Sequence, residues 1–260
     1  MGEYQGQVAI VTGGAGVLGL AVAAAFADAG ARVVLSDQDA TLGAAAAESL
    51  RAHGDVRFIK ADPADPSDAE RLASEVAATL GRIDVLAHHG TTRSRSSALE
   101  TPVEGWRSDI DAGLSSAFYL GRAVARHMAA TGGGSVVNIT AVDVDEATPG
   151  RATAAAVSNA LIGLSRALAV EWATIGVRVN ALVPGLVFDE TDRVASDRRE
   201  LSLERVRLRA PGQRFGDPEE IARAILFLSG PRASFITGQV LFADRGWNAL
   251  TMHPDGMKFP

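Results

Sequence analysis

The sequence predicts an α/β chain folded on a doubly wound parallel sheet of seven strands, as one domain over its 260 residues. Three observations lead there. Short β-branched runs alternate with Ala-rich stretches of helix length, which is the pattern of βαβ units. The runs are apolar without a strong period of two, as expected of strands covered on both faces. The first run ends in a glycine-rich turn that opens a helix. In a sheet built from right-handed crossovers, ligands collect beyond the carboxyl ends of the strands.

The elements follow in order. Strands are predicted at residues 8–12, 32–36, 56–60, 85–88, 135–140, 178–183 and 240–242. Helices are predicted at residues 18–29, 67–80 and 152–173, with another beginning near Trp106. The Ala clusters at 44–47 and 152–156 read as helix, because Ala has the strongest helix propensity. No linker, repeat or low-complexity insert interrupts the alternation.

Composition narrows the function. The formal net charge is −6, which argues against a nucleic-acid binder needing a basic face. With no Cys, thiolate catalysis, disulfides and Cys-based metal sites are excluded. His88 and His89 are adjacent rather than one helical turn apart, so no metal site is expected. No basic segment followed by a long apolar stretch opens the chain, and no membrane span is expected. The expectation is a cytoplasmic protein.

The turn Gly13-Gly14-Ala15-Gly16-Val17-Leu18-Gly19 suits a dinucleotide pyrophosphate. Glycine permits a tight turn and close backbone approach, and a helix N-terminus offers N–H groups and a positive dipole end. Asp37 closes the second strand. It either bonds adenosine ribose hydroxyls, favouring NAD over NADP, or is a loop or cap residue. Asp62, after the third strand, reads as an adenine contact or as a turn residue.

With TGG at Thr12–Gly14, IDVL at 83–86, GSVVNI at Gly134–Ile139, ALIGLSRALAVEWA at 160–173, VRVNALVPG at 177–185, RFGDPEEIA at 214–222 and FITGQVL at 235–241, the chain resembles the common type of short-chain dehydrogenase/reductase over almost its whole length. The resemblance implies a Rossmann-type sheet. It implies a nucleotide site at Gly13, Gly14, Gly16, Leu18, Gly19, Asp37, Asp62, Gly90, Pro184 and Gly185. It also marks departures. The middle glycine of the family turn falls on Val17, a residue poorly suited to positive φ, with Gly16 one position earlier as a partial substitute, which leaves open whether NAD binding is kept or is weakened or lost. The family's Asn-rich loop becomes His88-His89-Gly90, and its double-glycine ending becomes Asp244-Arg245-Gly246.

The reaction centre departs further. Carried over residue by residue, the family's catalytic Asn, Ser, Tyr and Lys fall on Gly113, Ala141, Ala154 and Ser158. A shift of alignment restores nothing, because the nearest Tyr is Tyr119 and no Lys lies between Lys60 and Lys258. Hydride transfer at a carbonyl carbon needs a matched proton transfer on oxygen. A phenol of pKa about 10, lowered by a neighbouring ammonium, performs it. Ala and Gly side chains do not.

The resemblance therefore implies a catalytically inactive or impaired subunit that supports an active relative. It would assemble as a homo-oligomer or as a hetero-oligomer with that relative, in a dimer or tetramer. Association would use the faces at residues 114–128, 152–173 and 235–247, and the tail at 251–260 would reach a neighbour's pocket. One alternative is a lyase, isomerase or residual reductase with a rebuilt site. Its groups would come from a rim of His88, His89, Asp111, Asp143, Asp145, Glu146, Arg151 and Ser158, with His89 and Asp143 paired as a general base. Another is an NAD-sensing regulatory protein without turnover.

Overall fold

The computed structural model describes residues 2–90, 95–142, 144, 148–187 and 210–250. Seven parallel strands are ordered β3-β2-β1-β4-β5-β6-β7. They are β1 (Val8–Thr12), β2 (Arg32–Asp37), β3 (Val56–Lys60), β4 (Val85–His89), β5 (Gly134–Ile139), β6 (Val177–Pro184) and β7 (Val240–Ala243). The order reverses direction between β1 and β4, which opens a crevice at their carboxyl ends. Compared with the sequence expectation, β2, β4 and β6 run slightly further at that edge. Asp37, His89 and Pro184 are thereby held on sheet ladders rather than on free loops.

The helices are α1 (Val17–Asp28), α2 (Ala40–Ser49), α3 (Pro66–Leu80), α4 (Val103–Ile110), α5 (Ser116–Ala130), α6 (Ala152–Glu171) and α7 (Pro218–Ser229). Their ends obey local chemistry. The Asp39 carboxylate caps α2 at the amides of Thr41 and Leu42. Asp65 caps α3, Pro66 starts it, and Gly81 ends it at φ +82°. Asp217 and Glu220 form a capping box on α7.

Both sheet faces are covered. One layer packs Val22 and Phe26 of α1 with Ile221 and Ile225 of α7. The other packs Leu72 and Val76 of α3 with Leu120 and Val124 of α5. Phe26 is fully buried, and truncating such a ring to Ala costs about 3–5 kcal/mol. α6 is long and apolar enough to cross a membrane, with mean hydropathy 1.4, which the sequence reading did not anticipate. Its Leu161, Leu168 and Ala169 are instead buried, with Leu168 and Ala169 in the same layer as Val177 and Val179 of β6.

Opposite the crevice, Asp84 accepts the Val8 amide at 2.8 Å and is clasped by the Arg82 guanidinium. That bond ties the start of β1 to β4. A second device lies between α4 and α5, where residues Asp111–Ser115 form a π turn with Gly113 buried inside it. Such one-turn widenings are rare and cluster at functional sites.

Candidate functional site

The glycine turn is built by packing. Gly13 has φ +61°, which only glycine adopts readily. A Cβ on Gly19 would stand 2.3 Å from the Gly13 carbonyl oxygen, and one on Gly14 would stand 2.6 Å from Leu35 Cδ2. At Gly16, by contrast, a Cβ would meet only the Gly13 oxygen, at 3.4 Å. The strain expected at Val17 is absent. Val17 is the first residue of α1, and among the described residues only Gln213 and Arg245 are non-glycine with positive φ. α1 starts without a side-chain cap and without an acidic residue in its first turn. Its leading N–H groups, those of Leu18 and Gly19 among them, are thus left for an anion. A turn packed this tightly, set against an uncapped helix end with free N–H groups, fits the pyrophosphate of a dinucleotide.

Asp37 ends β2 beside the glycine turn. Its carboxylate accepts the Ala15 amide of the turn and the Asp39 amide, each at 3.1 Å. A carboxylate has further lone pairs, so ribose hydroxyls can still be accepted. Asp62 accepts from Gln38 Nε2 at 2.8 Å and from the Ala64 amide at 2.9 Å, which makes it a turn residue on the rim. Pro184 ends β6. Gly185 follows it so tightly that a Cβ would stand 2.7 Å from Asp244 Cα. The glycine replaced near the C-terminus is Arg245, which carries φ +53° and lies across Gly212.

A second part of the crevice is a pocket of about 160 Å³ beyond β4 and β5. Its walls include His89, Thr140, Ala141, Arg151 and Ser158, with Gly90 against the π turn. It brings together Ala141 and Ser158. Ala154 is buried one helical turn before Ser158, and Gly113 is buried in the π turn. The Thr140 hydroxyl is buried without a hydrogen-bond partner among the described residues. Ser158 is only 3% exposed, and its hydroxyl makes no hydrogen bond within the described residues. Thr140, the first residue after GSVVNI and a hydroxyl position in the resembling family, was not among the residues expected to form the site.

The two histidines part company. The expected rim position of His88 is corrected, because His88 is wholly buried and both its ring nitrogens are engaged. Burial pushes its imidazole down to about 3, with a smaller repulsion from His89. His89 faces the pocket, and burial pushes its imidazole down to about 4. Asp143, Asp145, Glu146 and the tail at 251–260 lie outside the described residues. Among the described residues no cluster of His, Asp or Glu has the arrangement of a metal site.

Comparison with known proteins agrees with this architecture. A family profile described as enoyl-(acyl carrier protein) reductase matches residues 13–248. D-threitol dehydrogenase of Mycolicibacterium smegmatis is 35% identical over 251 residues, covering 94% of each chain. A short-chain type dehydrogenase/reductase from Mycobacterium ulcerans has a structure that superposes with TM-score 0.89 at 28% identity, covering 95% of this chain and 91% of that one. NAD+-bound xylitol dehydrogenase superposes with TM-score 0.86 at 25% identity, covering 92% and 98%. Sequence, sheet order and crevice agree: this chain belongs to the short-chain dehydrogenase/reductase family.

Proposed function

We propose that this protein is an NAD-binding member of its family that has lost ordinary alcohol–ketone turnover and serves as a subunit supporting a competent one. The carrying observation is the composition of the pocket, where neither a phenol nor an ammonium stands among the described lining residues. Tyr4 is bonded to Ser229, Tyr119 packs with the α3–α5 layer, and Lys60 ends the outermost strand β3. When bound, the nicotinamide supplies the hydride acceptor or donor. The chain itself must then hold the substrate oxygen and move its proton. Ala141 and Ala154 have no group for this, and loss of one acid–base group alone slows a reaction by about 10²–10⁴-fold.

NAD is preferred to NADP because the Asp37 carboxylate at the ribose end repels a 2′-phosphate. Association is supported by apolar side chains left in solvent on the faces expected to pair. Phe118 on α5 is 39% exposed, Val170 on α6 is 78% exposed, and Phe235 ahead of β7 is fully exposed. The partner is a second copy or an active relative. The relatives' names make small polyhydroxy alcohols the class to assay.

The experiment uses the purified chain with NAD and with D-threitol or xylitol. Calorimetric NAD binding without NADH formation is expected, and turnover at rates usual for the family would overturn the reading. Restoring Gly113→Asn, Ala141→Ser, Ala154→Tyr and Ser158→Lys together should raise the rate by at least ~10²-fold. Native mass spectrometry of the complex from its own cells checks association. A rebuilt site would reveal itself as activity that disappears in His89→Ala.

A further inference from the structure

His88 is the most buried titratable group of the crevice, and the reading above gives it no task. Its surroundings define its protons. The Ser116 hydroxyl donates to the Ala112 carbonyl at 2.6 Å, so its single hydrogen is committed. The 3.0 Å contact between Ser116 Oγ and His88 Nε2 must then be a donation from the ring. On the other side the Thr12 hydroxyl accepts the His89 amide at 2.9 Å and lies 3.0 Å from His88 Nδ1. With Nε2 protonated and the buried ring neutral, Nδ1 is bare and accepts from Thr12. Every hydrogen bond then points the same way: His89 N–H to Thr12, Thr12 to His88, His88 to Ser116, Ser116 to Ala112. Bonds ordered in series polarise one another.

The chain ends at a place the fold has left open. In the π turn the Ser116 amide reaches back to the Asp111 carbonyl, one residue beyond the helical partner. The Ala112 carbonyl that it bypasses is the one taken by the Ser116 hydroxyl. That same carbonyl oxygen lies where a Cβ on Gly90 would meet it at 2.3 Å. Strand β4 thus wraps the widened turn with His88 on one side and Gly90 on the other. Thr12 and Gly13 open the glycine turn, and His89 and Gly90 wall the pocket.

We propose that His88 is a positioning residue, held as the Nε2–H tautomer, which fixes the π turn and the glycine turn at one separation and so shapes both parts of the crevice. The inference concerns the protein's own groups and does not depend on whether the pocket turns over a substrate.

The test is nuclear magnetic resonance on the full chain labelled with ¹⁵N at histidine, with His88 assigned by the signal lost in His88→Gln. At neutral pH the long-range ¹H–¹⁵N pattern should show Nε2 protonated and Nδ1 bare. A protonated Nδ1, or an even mixture of tautomers, would overturn the proposal. Thr12→Val removes the hydroxyl at nearly constant volume. It should alter the His88 nitrogen shifts and speed amide exchange across residues 111–117 by about tenfold, as for loss of one buried hydrogen bond. Thr12→Ser keeps the hydroxyl and should retain the parent pattern. Unchanged shifts and exchange in Thr12→Val would sink the idea, and the parent spectrum decides the matter if that variant does not fold.

Discussion

The glycine turn after β1 and the pocket after β4 and β5 lie at the same edge of the sheet, yet they depend on the sequence differently. The glycine turn after β1 consists of backbone, and its Gly13, Gly14 and Gly19 are demanded by the fold itself. A side chain on Gly14 or Gly19 would strike Leu35 or the turn's own carbonyl. The pocket after β4 and β5 depends on side chains for its chemistry, and the fold asks only that they be small enough. Ala154 is 1% exposed and Ala141 lines the wall, and both suit the core without a functional group. A cradle made by packing persists as long as the protein folds. The sheet itself does not require proton-handling side chains in that pocket.

This contrast breaks most sharply at Gly19. Gly19→Ala should overpack the turn by about 1–3 kcal/mol and weaken NAD binding by ~10-fold to 100-fold, read by calorimetry. Gly16→Ala, with room for its Cβ, should bind nearly as the parent. Equal effects of the two would mean that the cradle is not set by these contacts.

A second test concerns acid. Both histidines have pKa values lowered by burial, to about 3 and about 4, against 6.5 for a free imidazole. The unfolded chain therefore binds more protons than the folded one below about 6.5. Their contribution to stability is complete above that pH and is lost as pH falls toward the folded values, by up to ~1.4 kcal/mol per unit for His88. Urea midpoints measured from pH 7 to pH 5 should fall, and His88→Gln should flatten the slope. A slope unchanged by that substitution would remove His88 as the cause.

Smaller effects are expected from single polar groups. Asp37→Asn keeps the shape but removes the charge. It should weaken NAD binding about fivefold to tenfold and narrow its advantage over NADP, by the same calorimetry. Ser158→Ala should change stability by no more than ~0.5 kcal/mol, because that hydroxyl makes no hydrogen bond within the described residues. A larger loss, or a lost activity, would favour a rebuilt site.

Much of this protein was legible in the sequence because it rests on local rules. β-Branched runs and Ala-rich stretches marked the strands and helices of the sheet, with ends displaced by a residue or two. The glycine turn was marked by its place between a strand and a helix, and positions 113, 141, 154 and 158 were singled out only through the family resemblance. Two expectations failed for one shared reason. Val17 was read as strained and His88 as a rim residue, but φ and burial are properties of the surroundings rather than of the residue. The Thr12–His88–Ser116 series and the π turn were invisible because their members lie far apart in the chain, and only the parallel pairing of β1 with β4, under α5, brings them together. Residue type fixed which chemistry was available along this chain. The tertiary arrangement decided which groups are neutral, which are satisfied and which are left facing the pocket, because desolvation and hydrogen bonding depend on neighbours that the linear order does not name.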